Sequence, residues 1–379
     1  MADLIHQHWY FARPKLAQHY LSLLVDGPGD PIALVGQRRI GKTTFLLNDL
    51  LPAATNRGFL PIYIDVWQHR TEVLEAINYA LQEAIDDLDV PGSKVGRRLK
   101  TVVKRVGLAG ASLELGDEPA RRRPASPFLQ VDWLLKTLVK DAKRPIVLIF
   151  DEIQELATAP GSDNIVSALR SAITKNKSAV RVVFTGSSQE QLMALFSRSR
   201  AALYEGASTL AFPHLDAEFI QFIAQRVRDR FKKTVSAKEL AEVFVRLHHQ
   251  PRPLIDLLLL YSSDDAKSLT SLLNSRIDDQ LTDAGFESTW QSLKPLYRRI
   301  CLRIAMGEEV SSIAARRAYA QGSNRKELSP GTVSSALRAM IAARVLIKIA
   351  GVRGGYALDD PLFAEWLRAG RQLEVDRRA

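Results

Sequence analysis

Ile32-Ala33-Leu34-Val35-Gly36-Gln37-Arg38-Arg39-Ile40-Gly41-Lys42-Thr43-Thr44 is the stretch on which the reading of this chain turns. The four leading apolar residues suit a short strand buried on both faces, as in a parallel sheet. The next eight satisfy G-x-x-x-x-G-K-[ST], at the point where a strand gives way to a helix. Glycines let successive backbone N–H groups curl around an anion, and the helix N-terminus adds the positive end of its dipole. The expected phosphate cradle is Gly36, Gln37, Arg38, Arg39, Ile40, Gly41, Lys42, Thr43 and Thr44. Lys42 is expected on the β- and γ-phosphates, and the Thr43 hydroxyl on Mg²⁺.

A second stretch, Pro145-Ile146-Val147-Leu148-Ile149-Phe150-Asp151-Glu152, is an apolar strand that ends in two acids. Paired with the loop about 110 residues upstream, it looks like a Walker B motif. Asp151 is expected to hold Mg²⁺ through water. Glu152 is expected to activate the attacking water, a role that calls for a carboxylate within one water of the γ-phosphate. A third strand, ending in Thr185, runs into Gly186-Ser187-Ser188. Ser187 is read either as a γ-phosphate sensor or as the cap of the next helix.

Apolar runs recur at 60–66, 146–150 and 180–185, separated by helical patterns such as 71–88 and 131–140. Strand and helix in alternation predict an α/β domain, a parallel sheet sandwiched by helices, over residues 1–212. Residues 91–126 carry 9 Lys/Arg against 3 Asp/Glu and interrupt that domain. They read as a surface insertion, either a second phosphate-tracking surface or a solvated loop. Residues 213–289 read as an all-α domain with helices at 217–231, 237–247, 253–261 and 269–281. Residues 290–379 form a third part. Helical stretches at 292–306 and 311–321 precede Ser329-Pro330, an N-cap followed by a first-turn proline. A helix to about residue 344 and a hairpin turning at 351–355 complete the order of a winged helix.

The +10 net charge is concentrated in the 91–126 segment and in residues 291–379, where 16 Lys/Arg face 8 Asp/Glu. That balance makes DNA a candidate partner, through Thr332, Ser334, Ser335 and Arg338 on the third helix and Arg353 at the hairpin tip. The alternative is a protein contact. The lone Cys301 excludes an internal disulfide and a multi-cysteine metal site. The adjacent His248 and His249 point different ways and read as a surface pair, not as metal ligands. No signal peptide and no span of about 20 apolar residues is legible, so the expectation is a cytoplasmic chain without a membrane partner.

Gly-Gln-Arg-Arg-Ile-Gly-Lys-Thr, Phe-Asp-Glu-Ile-Gln-Glu-Leu and Phe-Thr-Gly-Ser-Ser together resemble the archaeal-type ATPases, which lie near the AAA+ ATPases and within the STAND group of P-loop NTPases. The resemblance extends to Phe11-Ala12-Arg13, to Gln250-Pro251-Arg252-Pro253-Leu254, and to Asp360-Pro361-Leu362-Phe363 with Trp366. It implies an ASCE-type sheet, a helical lid and a C-terminal winged helix. It also implies Arg13 near the adenine and Arg252 as a sensor-2-like arginine. Two positions depart from the family pattern. His248-His249 stands where a Gly-Gly pair is usual, and 203–207, Leu-Tyr-Glu-Gly-Ala, lacks the arginine that could stabilise a transition state. Arg198 and Arg200 lie nearby. An arginine finger contributes about 10³–10⁵ in rate, so slow basal turnover is expected. The expected protein is therefore an ATP-dependent hydrolase acting as a switch, on DNA or, in STAND fashion, on a protein partner or a second copy of itself.

Overall fold

A computed structural model describes residues 8–27, 29–67, 72–89, 123–159, 161–187, 192, 195, 207–263, 268–279, 285–321, 326–349, 352, 354–370 and 372–378. The expectations placed on Arg353, Arg198, Arg200, Ser188, the 203–206 stretch and residues 91–122 lie outside the described residues. The chain divides into two compact bodies. One holds Ala12–Val35 and Thr43–Leu210, and the other Met1–Phe11, Gly36–Lys42 and Ala211–Ala379.

The first body is built on a five-stranded sheet in the order β2-β3-β4-β1-β5. The strands are β1 (Ile32–Val35), β2 (Leu60–Asp65), β3 (Ile146–Asp151), β4 (Val180–Gly186) and β5 (Ser208–Ala211). β1 pairs with β4, β4 with β3 and β3 with β2, all parallel. β4 thus lies between the strand that leads into the glycine loop and the strand that ends in Asp151. All six residues of β3 are buried, which is why it reads as one unbroken apolar run. Helices Val73–Asp89, Pro127–Ala142 and Ser162–Lys175 supply Leu81, Leu134, Leu135, Leu138, Val166 and Leu169 to its core.

Two local features differ from the sequence reading. β5 has no apolar run to announce it, because it is a largely exposed edge strand; the Ser208 N–H bonds the Pro31 carbonyl at 3.0 Å. The helix after the glycine loop runs as Lys42–Phe45, a wider turn Leu46–Leu50, and Leu51–Asn56. Pro52 lacks the N–H that would bond back to residue 48, and the wider turn absorbs that loss.

The second body is helical apart from one hairpin. Helices Ala217–Phe231, Ala237–Arg246, Pro251–Ser263 and Leu269–Asp279 come first. Gly285–Ser292, Pro295–Ala305, Ile313–Ala320 and Pro330–Ala342 follow, then the antiparallel pair β6 (Leu346–Lys348) and β7 (Tyr356–Leu358), and helices Pro361–Arg368 and Gln372–Arg378. The helix read over 292–306 starts only at Pro295, which has no N–H to give an interior turn and opens the helix instead; Ser292 ends the helix before it. Ser236, Ser312, Ser329 and Asp360 cap their helices by accepting from backbone N–H groups one or two residues into the first turn. One core joins Trp9, Phe219, Phe244, Trp290, Ile300, Leu337, Phe363 and Trp366. Glu365, 5% exposed, is flanked by Arg246 and Arg368, so its buried charge is paired on both sides. Among the described residues no helix is long and apolar enough to cross a membrane.

Candidate functional site: a phosphate-type loop and a hydroxyl-bound acidic pair

The loop after β1 is shaped by residues that tolerate unusual backbone. Arg39 and Gly41 have φ of 64° and 94°, in the left-handed region where glycine is at no disadvantage. Gly36 is packed against its surroundings. A Cβ there would lie 2.7 Å from Ile40 Cδ1 and 3.1 Å from Phe212 Cβ. The turn folds the loop back on its lysine: Lys42 Nζ, on a side chain only 5% exposed, donates to the carbonyls of Gly36 at 2.7 Å and Gln37 at 2.8 Å. A buried ammonium held at the mouth of a glycine loop is suited to an anionic ligand.

Thr43, next in the chain, leads to the acids. Its hydroxyl donates to Asp151 Oδ2 at 2.6 Å, bridging 108 residues of sequence. Asp151 is 2% exposed, and a buried carboxylate needs donors. Besides Thr43, the Tyr63 phenol donates to Oδ2 at 2.9 Å and the Thr185 hydroxyl donates to Oδ1. Burial, reinforced by Asp151 itself, pushes the Tyr63 phenol far up, so it stays protonated and remains a donor. The set combines an alcohol and a carboxylate, hard oxygen donors of the kind Mg²⁺ takes, and it fits that ion.

Glu152 follows with φ of 54°, a conformation that costs a non-glycine residue about 1–2 kcal/mol. Its N–H is tied to Thr185 Oγ1 at 3.2 Å, so one buried threonine fixes both acids. The Glu152 side chain accepts at Oε2 from Ser187 Oγ at 2.8 Å, from the Ser187 N–H at 3.3 Å, and from Gln154 Nε2. Ser187 therefore touches Glu152 directly, while Lys42 and Thr43 open the helix that follows the glycine loop.

The Arg13 backbone N–H donates to the buried Asp49 at 3.0 Å, and its guanidinium lies 5.1 Å from the Phe45 ring centre. Arg252 forms an ion pair with Asp256 at 3.0 Å on its own helix. Thr332, Ser334, Ser335 and Arg338 share one side of the Pro330–Ala342 helix at helical spacing, with Ser334, Ser335 and Arg338 exposed. His248 and His249, with φ of 52° and 55°, both adopt the left-handed backbone that a Gly-Gly pair would take without strain. Burial holds both imidazoles below their ordinary range.

Tyr63, Thr185, Gln154 and Asp359 were not singled out by sequence. Tyr63 and Asp65 are polar interruptions in the apolar β2 run, which is a usable signal. Thr185, last but one in β4, stands beside more conspicuous serines and has no signal of its own. Gln154 lies within the Phe-Asp-Glu-Ile-Gln-Glu-Leu string that carries the family resemblance, but nothing local gives it a role. Asp359, 8% exposed, is raised by burial against the opposing pull of Arg39 and Arg38. Only folding brings it to the glycine loop.

Sheet order, glycine loop and hydroxyl-bound acidic pair together define a P-loop NTPase of AAA+-like fold. The family model described as "ATPase domain predominantly from Archaea" matches residues 11–257, and the chain belongs to that archaeal-type ATPase family. Among solved structures it is similar to the Walker-type ATPase PABY2304 of Pyrococcus abyssi, with 20% identity, 95% of this chain and 96% of that one covered, and a TM-score of 0.60. It is also similar to the ORC2 protein of Aeropyrum pernix in its ADP form, with 15% identity, coverage of 97% and 98%, and a TM-score of 0.51. At these identities the likeness is one of fold. No curated protein shows significant sequence similarity to the chain.

Proposed function

We propose that this chain binds ATP with Mg²⁺ and hydrolyses it slowly, as a nucleotide-driven switch that contacts DNA through a C-terminal winged helix. The observation that carries the reading is the meeting of Thr43 and Asp151 at 2.6 Å with Glu152 directly behind. Lys42 and the backbone of 36–43 bind the phosphates, and Thr43 and Asp151 hold Mg²⁺. Bound there, the ion supplies charge neutralisation along the phosphates. Glu152 takes the proton of the attacking water, a service worth about 10²–10⁴ in rate. Ser187 and Arg252 sense the γ-phosphate, and Arg13 lies on the adenine side. In this reading residues 1–212 are the ATPase domain, 213–289 the lid and 290–379 the winged helix and tail. Three helices followed by an antiparallel hairpin support the last assignment, with the exposed Ser334, Ser335 and Arg338 on its recognition helix.

A second reading makes the winged helix a protein contact, in a STAND-type signalling or defence switch. One observation favours it. Many guanidinium groups of this region bond within the body: Arg298 to the carbonyls of Trp290 and Gln291, Arg299 to those of Tyr319 and Gln321, Arg316 to Glu327, Arg368 to Glu365. Phosphate release from ATP, measured with and without duplex DNA beside Lys42→Ala, separates the two. Stimulation by DNA that the variant lacks supports the first. Release that ignores DNA and is lost in the variant supports the second. Release equal to that of Lys42→Ala sinks both.

A further inference from the structure

Gln154 sits two residues beyond Glu152 in the Ile153–Thr158 turn. The residue is 2% exposed, and its amide nitrogen reaches both Glu152 Oε2 and Ser187 Oγ, the latter at 3.2 Å. Its amide oxygen is buried with no hydrogen-bond partner among the described residues. An unpaired buried carbonyl costs about 1–3 kcal/mol, a cost that methionine or leucine would avoid at the same volume. The strand opposite is cut away to admit it: a Cβ on Gly186 would fall 2.7 Å from Gln154 Oε1. An amide held at a cost in stability, in a niche only glycine leaves open, with its donor aimed at one carboxylate oxygen, is arranged for that carboxylate.

We infer that Gln154 is a positioning residue for Glu152. Together with Ser187 it holds Oε2, and so fixes the rotamer in which the other oxygen meets the attacking water. This rests on the hydrolytic reading of Glu152. Three donors on one oxygen define the orientation of the carboxylate plane better than one does. A base misplaced by about 1 Å loses about 10²-fold in rate.

The test compares wild type, Gln154→Met, Glu152→Gln and the double variant in steady-state ATP hydrolysis, with affinity read separately from a fluorescent ATP analogue. Gln154→Met is expected to lower kcat by about 10–100-fold while KM and analogue affinity stay within about twofold. In the Glu152→Gln background the same change is expected to move the residual rate by less than about twofold, because the group it serves is gone. A purely structural role would lower the rate in both backgrounds, and that result overturns the inference. So does an unchanged or raised kcat in Gln154→Met. Should that variant fail to fold, Gly186→Ala, whose Cβ would fall 2.7 Å from the amide oxygen and 3.1 Å from Leu192 Cδ1, is held to the same outcomes. Wild-type release no faster than Lys42→Ala removes the hydrolytic reading and this inference with it. An active wild type with an unmoved Gln154→Met removes the inference alone.

Discussion

Thr185 and Asp151 lie at the C-terminal ends of neighbouring parallel strands, one residue from the end and last respectively, and the threonine hydroxyl donates to Asp151 Oδ1 while accepting from the Glu152 N–H. One side chain with no solvent exposure thus sets the geometry of both acids. The two acids are legible in the sequence; the group that fixes them sits on another strand.

Replacing Thr185 by valine keeps the volume and removes both bonds. A buried acceptor and a buried donor are left unpaired, each costing about 1–3 kcal/mol. Tyr63→Phe removes one of several donors to Asp151 and should cost about 0.5–1.5 kcal/mol. Urea unfolding of both variants checks the order, with Thr185→Val expected to be the more damaging. An equal or reversed order contradicts the shared-hydroxyl account.

At the His248-His249 turn the backbone is left-handed at both residues. His248→Val places a β-branched residue there and should destabilise by about 2 kcal/mol or more. His248→Gly relieves the strain but gains entropy in the unfolded chain, so the two effects should cancel to within about 1 kcal/mol. Thermal melts of the two variants beside wild type decide it.

The same histidines make stability depend on pH. Burial lowers both, and lowers His214, whose ring centre lies 5.0 Å from that of His249. A histidine depressed in the fold binds fewer protons there than in the unfolded chain. Its contribution is therefore fully present above about pH 6.5 and is lost as pH falls toward the folded value. Melting temperature should drop between pH 7.5 and 5.5. The drop should shrink in His249→Gln, which has no proton to take up.

Cys301 is fully buried, and burial pushes its thiol up to about 12. At pH 8 only about one molecule in 10⁴ carries the reactive thiolate. A thiol-specific chromogenic reagent should label the native chain very slowly and the guanidinium-unfolded chain at once. Prompt native labelling would mean that the Pro295–Ala305 helix opens readily.

Much of this site was legible before folding, for a local reason. The glycine loop is contiguous, and its residue types are dictated by backbone geometry and by phosphate chemistry. Strands such as Ile146–Asp151, buried on both faces, announce themselves as unbroken apolar runs. Strand β5 did not, because an exposed edge strand has no such run to show. Pro295 was visible as a residue, but periodicity carried the reading across it.

The sequence by itself determined the class of the protein, the phosphate loop and the acidic pair, because each depends on neighbours along the chain. Tertiary structure alone decided what holds those groups. Tyr63, Thr185 and Ser187 reach Asp151 and Glu152 from other strands and the turn after one, and Gln154 turns back from two residues along the chain. The reason is desolvation. A carboxylate taken out of water must be given donors, and only the packing of distant strands determines which side chains stand close enough to supply them.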